Sequence, residues 1–94
     1  MNAIAVRANQ VEEMLHAIGY ETKRVKRGKY KAFRNGFMTP AQSHGWDRLV
    51  SNGYATREPN RANEMMPNAQ IYHVTRAGMD FLEGVIGVKI VEDD

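Results

Sequence analysis

Cysteine is absent from the 94 residues of this chain. That excludes a disulfide framework and a thiolate zinc site, and it fits a reducing, cytoplasmic setting. Long apolar runs are missing as well. The longest, near Val85-Ile86-Gly87-Val88, falls far short of the ~20 residues that span a bilayer and stands at the wrong end for a signal peptide. No membrane is therefore expected as a partner. Also absent are a nucleophile motif, a phosphate-cradling glycine loop and a paired-carboxylate arrangement. His16, His44 and His73 are too far apart in the chain for metal-site spacing. The chain reads as a non-enzymatic domain with no catalytic residue, no metal and no cofactor.

What is present has globular proportions, 43% hydrophobic and 26% charged, unlike a disordered segment. A chain of this length suits one domain and not two, so residues 1–94 are read as a single unit. The net charge of +2 hides an asymmetry. Residues 1–50 carry nine Lys/Arg and four Asp/Glu, whereas residues 51–94 carry four and seven. The positive charge concentrates between Lys23 and Arg34, and the sequence ends in Glu92-Asp93-Asp94. Such polarity orients a protein towards an anionic partner.

Val11, Met14, Leu15 and Ile18 fall on one face of a first helix, with Ile4 one heptad earlier. Asn9 and Glu12 have the spacing of a capping box at its start, and Gly19 is placed for a left-handed end before Tyr20. Two readings fit residues 21–37. Tyr30, Phe33 and Phe37 recur at helical spacing, which favours a short second helix. Alternatively, a hairpin turns at Arg27-Gly28-Lys29 with Val25 and Tyr30 as strand residues. The helix is the preferred reading. Thr39 and Pro40 suit the N-cap and first position of a third helix that buries Trp46, Leu49 and Val50 and ends at Gly53. A hairpin follows, with strands at residues 54–58 and 70–75 and a polar loop between. Tyr72 and Val74 share its inner face. Thr75 caps a last helix with a Phe81, Leu82, Val85 and Ile86 stripe, and Val88–Val91 suits a terminal strand. The fold class is α+β.

The run Trp46-Asp47-Arg48-Leu49-Val50-Ser51-Asn52-Gly53-Tyr54, then Tyr72-His73-Val74-Thr75-Arg76-Ala77-Gly78, then Phe81-Leu82, resembles winged-helix domains over residues 30–83. The resemblance implies a helix-turn-helix followed by a β-hairpin wing and a C-terminal helix. A second likeness spans most of the chain. Leu15-His16-Ala17-Ile18-Gly19 and Phe33-Arg34-Asn35-Gly36-Phe37 resemble a group of small proteins from tailed phages and prophages. Here Ile18 replaces a Leu and Phe33 a Tyr. That likeness implies a phage origin and points at His16, Arg34 and Asn35, but carries no activity with it.

The basic segment comprises Lys23, Arg24, Lys26, Arg27, Lys29, Lys31 and Arg34, with Tyr30 and Phe33 interleaved. Long cationic stems neutralise phosphates, and aromatic rings stack on exposed bases. The same residues also suit a solvated loop whose aromatics fill the core, or contact with an acidic protein. On the Thr39–Asn52 helix, Gln42, His44 and Arg48 are the types that read base edges, whereas Asp47 is not. Arg57 and Arg61 lie where a wing would reach phosphate. The leading expectation is binding of nucleic acid, double-stranded DNA first. The alternatives are a module that engages a host or phage protein, with Met65-Met66 as an adaptable contact, and a minor virion component. A homodimer is compatible with each.

Overall fold

The first helix is set by a glutamine. The computed structural model describes residues 6–59, 65 and 68–92, and α1 spans Ala8–Ala17. The Arg7 N–H donates to Gln10 Oε1 at 2.7 Å. Gln10 thus reaches back to the helix start where the Asn9–Glu12 box was expected, and Ile4 lies outside the described residues. Met14 and Ile18 are fully buried, with Val11 and Leu15 partly so, as their spacing predicts.

Helix α1 and the next helix, α2 (His44–Ser51), end alike. Gly19 has φ +70° and Gly53 φ +81°. The Gly19 N–H donates to His16 O at 3.0 Å and Tyr20 N–H to Leu15 O at 2.9 Å. In α2, Gly53 N–H donates to Val50 O at 3.0 Å and Tyr54 N–H to Leu49 O at 2.9 Å. These paired bonds satisfy the last carbonyls of each helix and need a left-handed residue between them. Both glycine expectations hold.

Residues 21–37 contain no α-helix, which corrects the preferred reading. A single 3-10 turn covers Thr22–Arg24. The chain then reverses at Arg27 and Gly28, whose φ values are +55° and +75°. Lys26 and Lys29 exchange N–H···O bonds of 2.9 and 3.0 Å across the turn, as in a two-residue hairpin loop. Strand β1 (Lys29–Ala32) follows, then β2 (Phe37–Thr39). The helical spacing of the aromatics loses to a period of two: Lys29 and Lys31 are exposed, Tyr30 and Ala32 buried. This alternation seats Tyr30 in the core, where its hydroxyl donates to Ile18 O at 2.9 Å.

Thr39 does not cap α2. It closes β2 opposite Gln70, and a residue before proline is driven to extended backbone. Ser43 caps instead, its Oγ accepting the Trp46 N–H at 3.3 Å. Pro40 and Gln42 therefore precede the helix. Among the described residues, α2 is the one helix between β2 and the next strand, so residues 29–37 do not supply the first member of a helix-turn-helix.

Strands β3 (Ala55–Pro59) and β4 (Gln70–Val74) form the expected hairpin. With β2 they make an antiparallel sheet in the order β2-β4-β3. Tyr72 and Val74 face inward. Thr75 begins α3 (Arg76–Ile86), its Oγ1 accepting the Gly78 N–H at 3.1 Å. Strand β5 (Lys89–Glu92) pairs parallel with β1, Lys29 opposite Lys89 and Tyr30 opposite Ile90. Among the described residues the result is an α+β domain of three α-helices, the three-stranded sheet and this separate ribbon. Trp46, Leu49, Tyr72, Val74 and Leu82 are buried together with Met14 and Met79. Phe81 is partly buried, stacked on Tyr54 at 5.0 Å, and Val85 is half exposed instead of completing the stripe. Among the described residues no helix is long and apolar enough to cross a membrane.

Candidate nucleic-acid interface

The basic segment is divided among three local structures. The 3-10 turn presents Lys23 and Arg24, both near Glu21 at 3.9 and 3.4 Å. The hairpin presents Lys26 and Arg27. Strand alternation then turns Lys29 and Lys31 outward, and β5 adds Lys89 directly beside Lys29. Among the described residues, Lys26, Arg27, Lys29 and Lys89 make no ion pair. Like charges side by side in a ladder oppose pairing, so this row is held against its own repulsion by the Tyr30 and Ile90 side buried beneath it. Acidic residues gather elsewhere, around Arg76, which contacts Asp80 and Glu83 at 2.9 Å and Glu92 at 3.5 Å.

Lys23, Arg24, Lys26, Lys31 and Phe33 line a hollow of about 440 Å³. The Arg24 guanidinium lies 4.7 Å above the Phe33 ring. Arg34 is also near that ring, at 5.9 Å, but its Nη2 donates to His16 O at 3.0 Å. It thereby places a cation at the C-terminal end of α1, where the helix dipole favours one. His16 orients this region through its carbonyl, not through its imidazole, which packs edge-on against Phe37 at 5.8 Å. Asn35 acts as an extra rung of the sheet. Its Nδ2 donates to Val74 O at 2.7 Å and its Oδ1 accepts the Val74 N–H at 2.8 Å. The Gly36 N–H donates to Ala17 O at 3.0 Å. The Phe33–Phe37 motif thus joins α1 to the sheet.

Around α2 the candidates separate. Exposed His44 and Arg48 line a cleft of about 240 Å³ with Arg7, Asn9, Gln10 and Gly45, and Gln10 Nε2 donates to Gly45 O at 2.9 Å to fix the two helices. Gln42 and Arg57 are both tied to Asp47. Gln42 Nε2 donates to Asp47 Oδ2, Arg57 Nη1 to Oδ1 at 3.1 Å, and the Tyr72 hydroxyl to Oδ1 at 2.9 Å. Asp47, out of place on a base-reading helix, is thus a structural acceptor. Arg61 and Met66 lie outside the described residues. The cleft abuts the N-terminal end of α1, and Phe33 of the hollow lies against Gly19 at the other end; ten helical residues put ~15 Å between those ends. Arg7 and Lys89 were not singled out from the sequence. The Lys89-Ile90 alternation repeats that of Lys29-Tyr30, but only the parallel pairing reveals that the two meet. Arg7 gave no local signal beyond its charge. Among the described residues no group of three or more His, Asp or Glu is placed to hold a metal ion.

Partial burial pushes the Asp47 carboxyl up, but the hydrogen bonds from Gln42 and Tyr72 and the Arg57 charge outweigh it and hold the group below its ordinary value. A depressed folded value means stabilisation that is complete above the unfolded pKa of about 3.9 and lost as pH falls through the folded one. Urea midpoints of wild type should therefore drop on acidification below about pH 4 more than those of Asp47→Asn, which has no carboxylate to protonate at this position. Parallel acid limbs for the two proteins would show that the network contributes nothing.

No protein-family model, curated protein or solved structure matches the chain.

Proposed function

We propose that this is a phage-type, winged-helix-like module that binds nucleic acid, gripping phosphates with the lysine row of β1 and β5. The β2-β4-β3 order, with a hairpin before α3, supports the wing half of that plan, while α2 stands alone where the resemblance implies a helix-turn-helix. The observation that carries the function is the row itself: Lys26, Lys29 and Lys89 sit together, exposed and without an acid partner among the described residues. A polyanion relieves that repulsion and gains entropy by counterion release. Helix α2 is the lesser participant, offering His44 and Arg48 while Gln42 and Arg57 stay bound to Asp47.

The test is a titration of fluorescent duplex DNA at several salt concentrations. Four phosphate contacts give a log K against log[salt] slope of roughly −3.6, and losing three of them leaves about −0.9. The triple variant Lys26→Glu, Lys29→Glu, Lys89→Glu should show that flattening and at least a tenfold loss of affinity near physiological salt, with an unchanged circular dichroism spectrum. Equal, weak binding of both the duplex and its single strand by the two proteins would remove the nucleic-acid reading and leave an acidic protein as the partner to seek.

A further inference from the structure

We infer that the hollow beside the lysine row takes an unpaired base, so that the preferred ligand is single-stranded nucleic acid, with Phe33 as the stacking platform. The inference rests on the nucleic-acid reading and specifies its ligand. Of the three phenylalanines, Phe37 and Phe81 pack against the core, whereas Phe33 is 49% exposed. An aromatic ring left half in water is ordinary when solitary. This one is ringed by Lys23, Arg24, Lys26 and Lys31 in a hollow of about 440 Å³, within the ~300–1,000 Å³ range of small-ligand sites.

The ring is also seated. A Cβ on Gly19 would lie 2.7 Å from Phe33 Cε1, so the glycine that ends α1 leaves the space the ring occupies. The Arg24 guanidinium lies over one face of the ring, so a base stacks on the outer side of that guanidinium or takes its place on the ring. Cations around an aromatic ring meet the two needs of a single strand at once, phosphate neutralisation and a π-face for the base. A duplex satisfies only the first, because its base faces are covered by their neighbours.

The experiment compares a fluorescent single-stranded DNA with the same sequence as a duplex, using wild type, Phe33→Leu and Phe33→Tyr. Leucine keeps apolar bulk against Gly19 without a π-face, and tyrosine restores the π-face. Wild type should bind the single strand roughly tenfold more tightly than the duplex. Phe33→Leu should lose most of that margin with duplex affinity unchanged, and Phe33→Tyr should keep it. Lysine-dependent binding that favours the duplex, or a single-strand affinity indifferent to Phe33→Leu, overturns this inference and leaves the nucleic-acid reading standing. Failure of both DNAs to bind wild type overturns both. Thermal melts of the variants confirm that each compared protein is folded.

Discussion

Replacing Trp46 by alanine is expected to destabilise the domain by about 3–5 kcal/mol, as large-to-small core changes do. Trp46 is 1% exposed and is the middle ring of three. It stacks on Phe37 of β2 at 5.4 Å and on Tyr72 of β4 at 5.2 Å, so a single side chain packs α2 against both strands. Its Nε1 donates to Glu13 Oε1 at 2.8 Å, which adds α1 to the same group. Alanine would leave a cavity bounded by two rings and end contacts among four elements. Domains of this size have stabilities of about 5–15 kcal/mol, so the loss is a large share of the total. It should lower Tm by at least about 12 °C at the usual 4–8 °C per kcal/mol. Trp46→Phe should cost far less, since it keeps a central ring and gives up the bond to partly exposed Glu13. Chemical denaturation followed by circular dichroism measures both. An alanine variant within about 1 kcal/mol of wild type would mean that the three-ring stack is not the centre of the core.

The second large effect is at Gly78, where the sign of the change is diagnostic. Glycine inside a helix is less favourable than alanine by up to ~1 kcal/mol, so Gly→Ala in open space stabilises. At Gly78 there is no space. An added Cβ would stand 2.3 Å from the Tyr54 carbonyl oxygen and 2.8 Å from Val74 Cγ1. The oxygen is backbone and already accepts the Thr75 N–H at 3.0 Å, so it cannot swing away as a side-chain tip would. Gly78→Ala must push the first turn of α3 off the hairpin and weaken the Thr75 bonds to Tyr54 and Gly53. The expected loss is about 3 kcal/mol, at the upper end for overpacking. Gly84, six residues after Gly78 on the same helix, is the control, because its Cβ would meet nothing within 4 Å. Gly84→Ala should raise stability by up to ~1 kcal/mol. Equal effects at the two glycines in a urea series would refute the close approach.

These sites also show what the sequence could and could not convey. The ends of α1 and α2 were legible because a left-handed glycine followed by tyrosine is a local device, complete within one turn of helix. The β3–β4 hairpin and the Thr75 cap were legible for the same reason. Thr39 and Ser43 are both good N-caps, and only the pairing of Thr39 with Gln70 decides between them. In residues 21–37 the aromatic spacing favoured a helix and a turn at Arg27-Gly28-Lys29 favoured a hairpin. The choice depended on Ile90 and Ile18, which flank Tyr30 from distant parts of the chain. The roles of Asn35 and Gly36 likewise depend on Val74 and Ala17 as partners. As for the candidate site, the cluster of charge at Lys23–Arg34 was plain. That Arg34 turns to the end of α1, and that Lys89 joins from the acidic half, was not.

The parallel pairing of β1 with β5 closes a loop of sixty residues, from Lys29 to Lys89. Contacts so distant in sequence are slow to form, because the chain loses entropy before the pairing gives anything back. The lysine row therefore exists only once this long loop has closed, whereas the helix caps and the β3–β4 hairpin close locally. A polyanion laid across Lys29 and Lys89 would touch both strands at once and favour their paired state by mass action. Binding of a polyanion and closure of this edge would then be one linked event, in which the ligand tightens the surface that holds it.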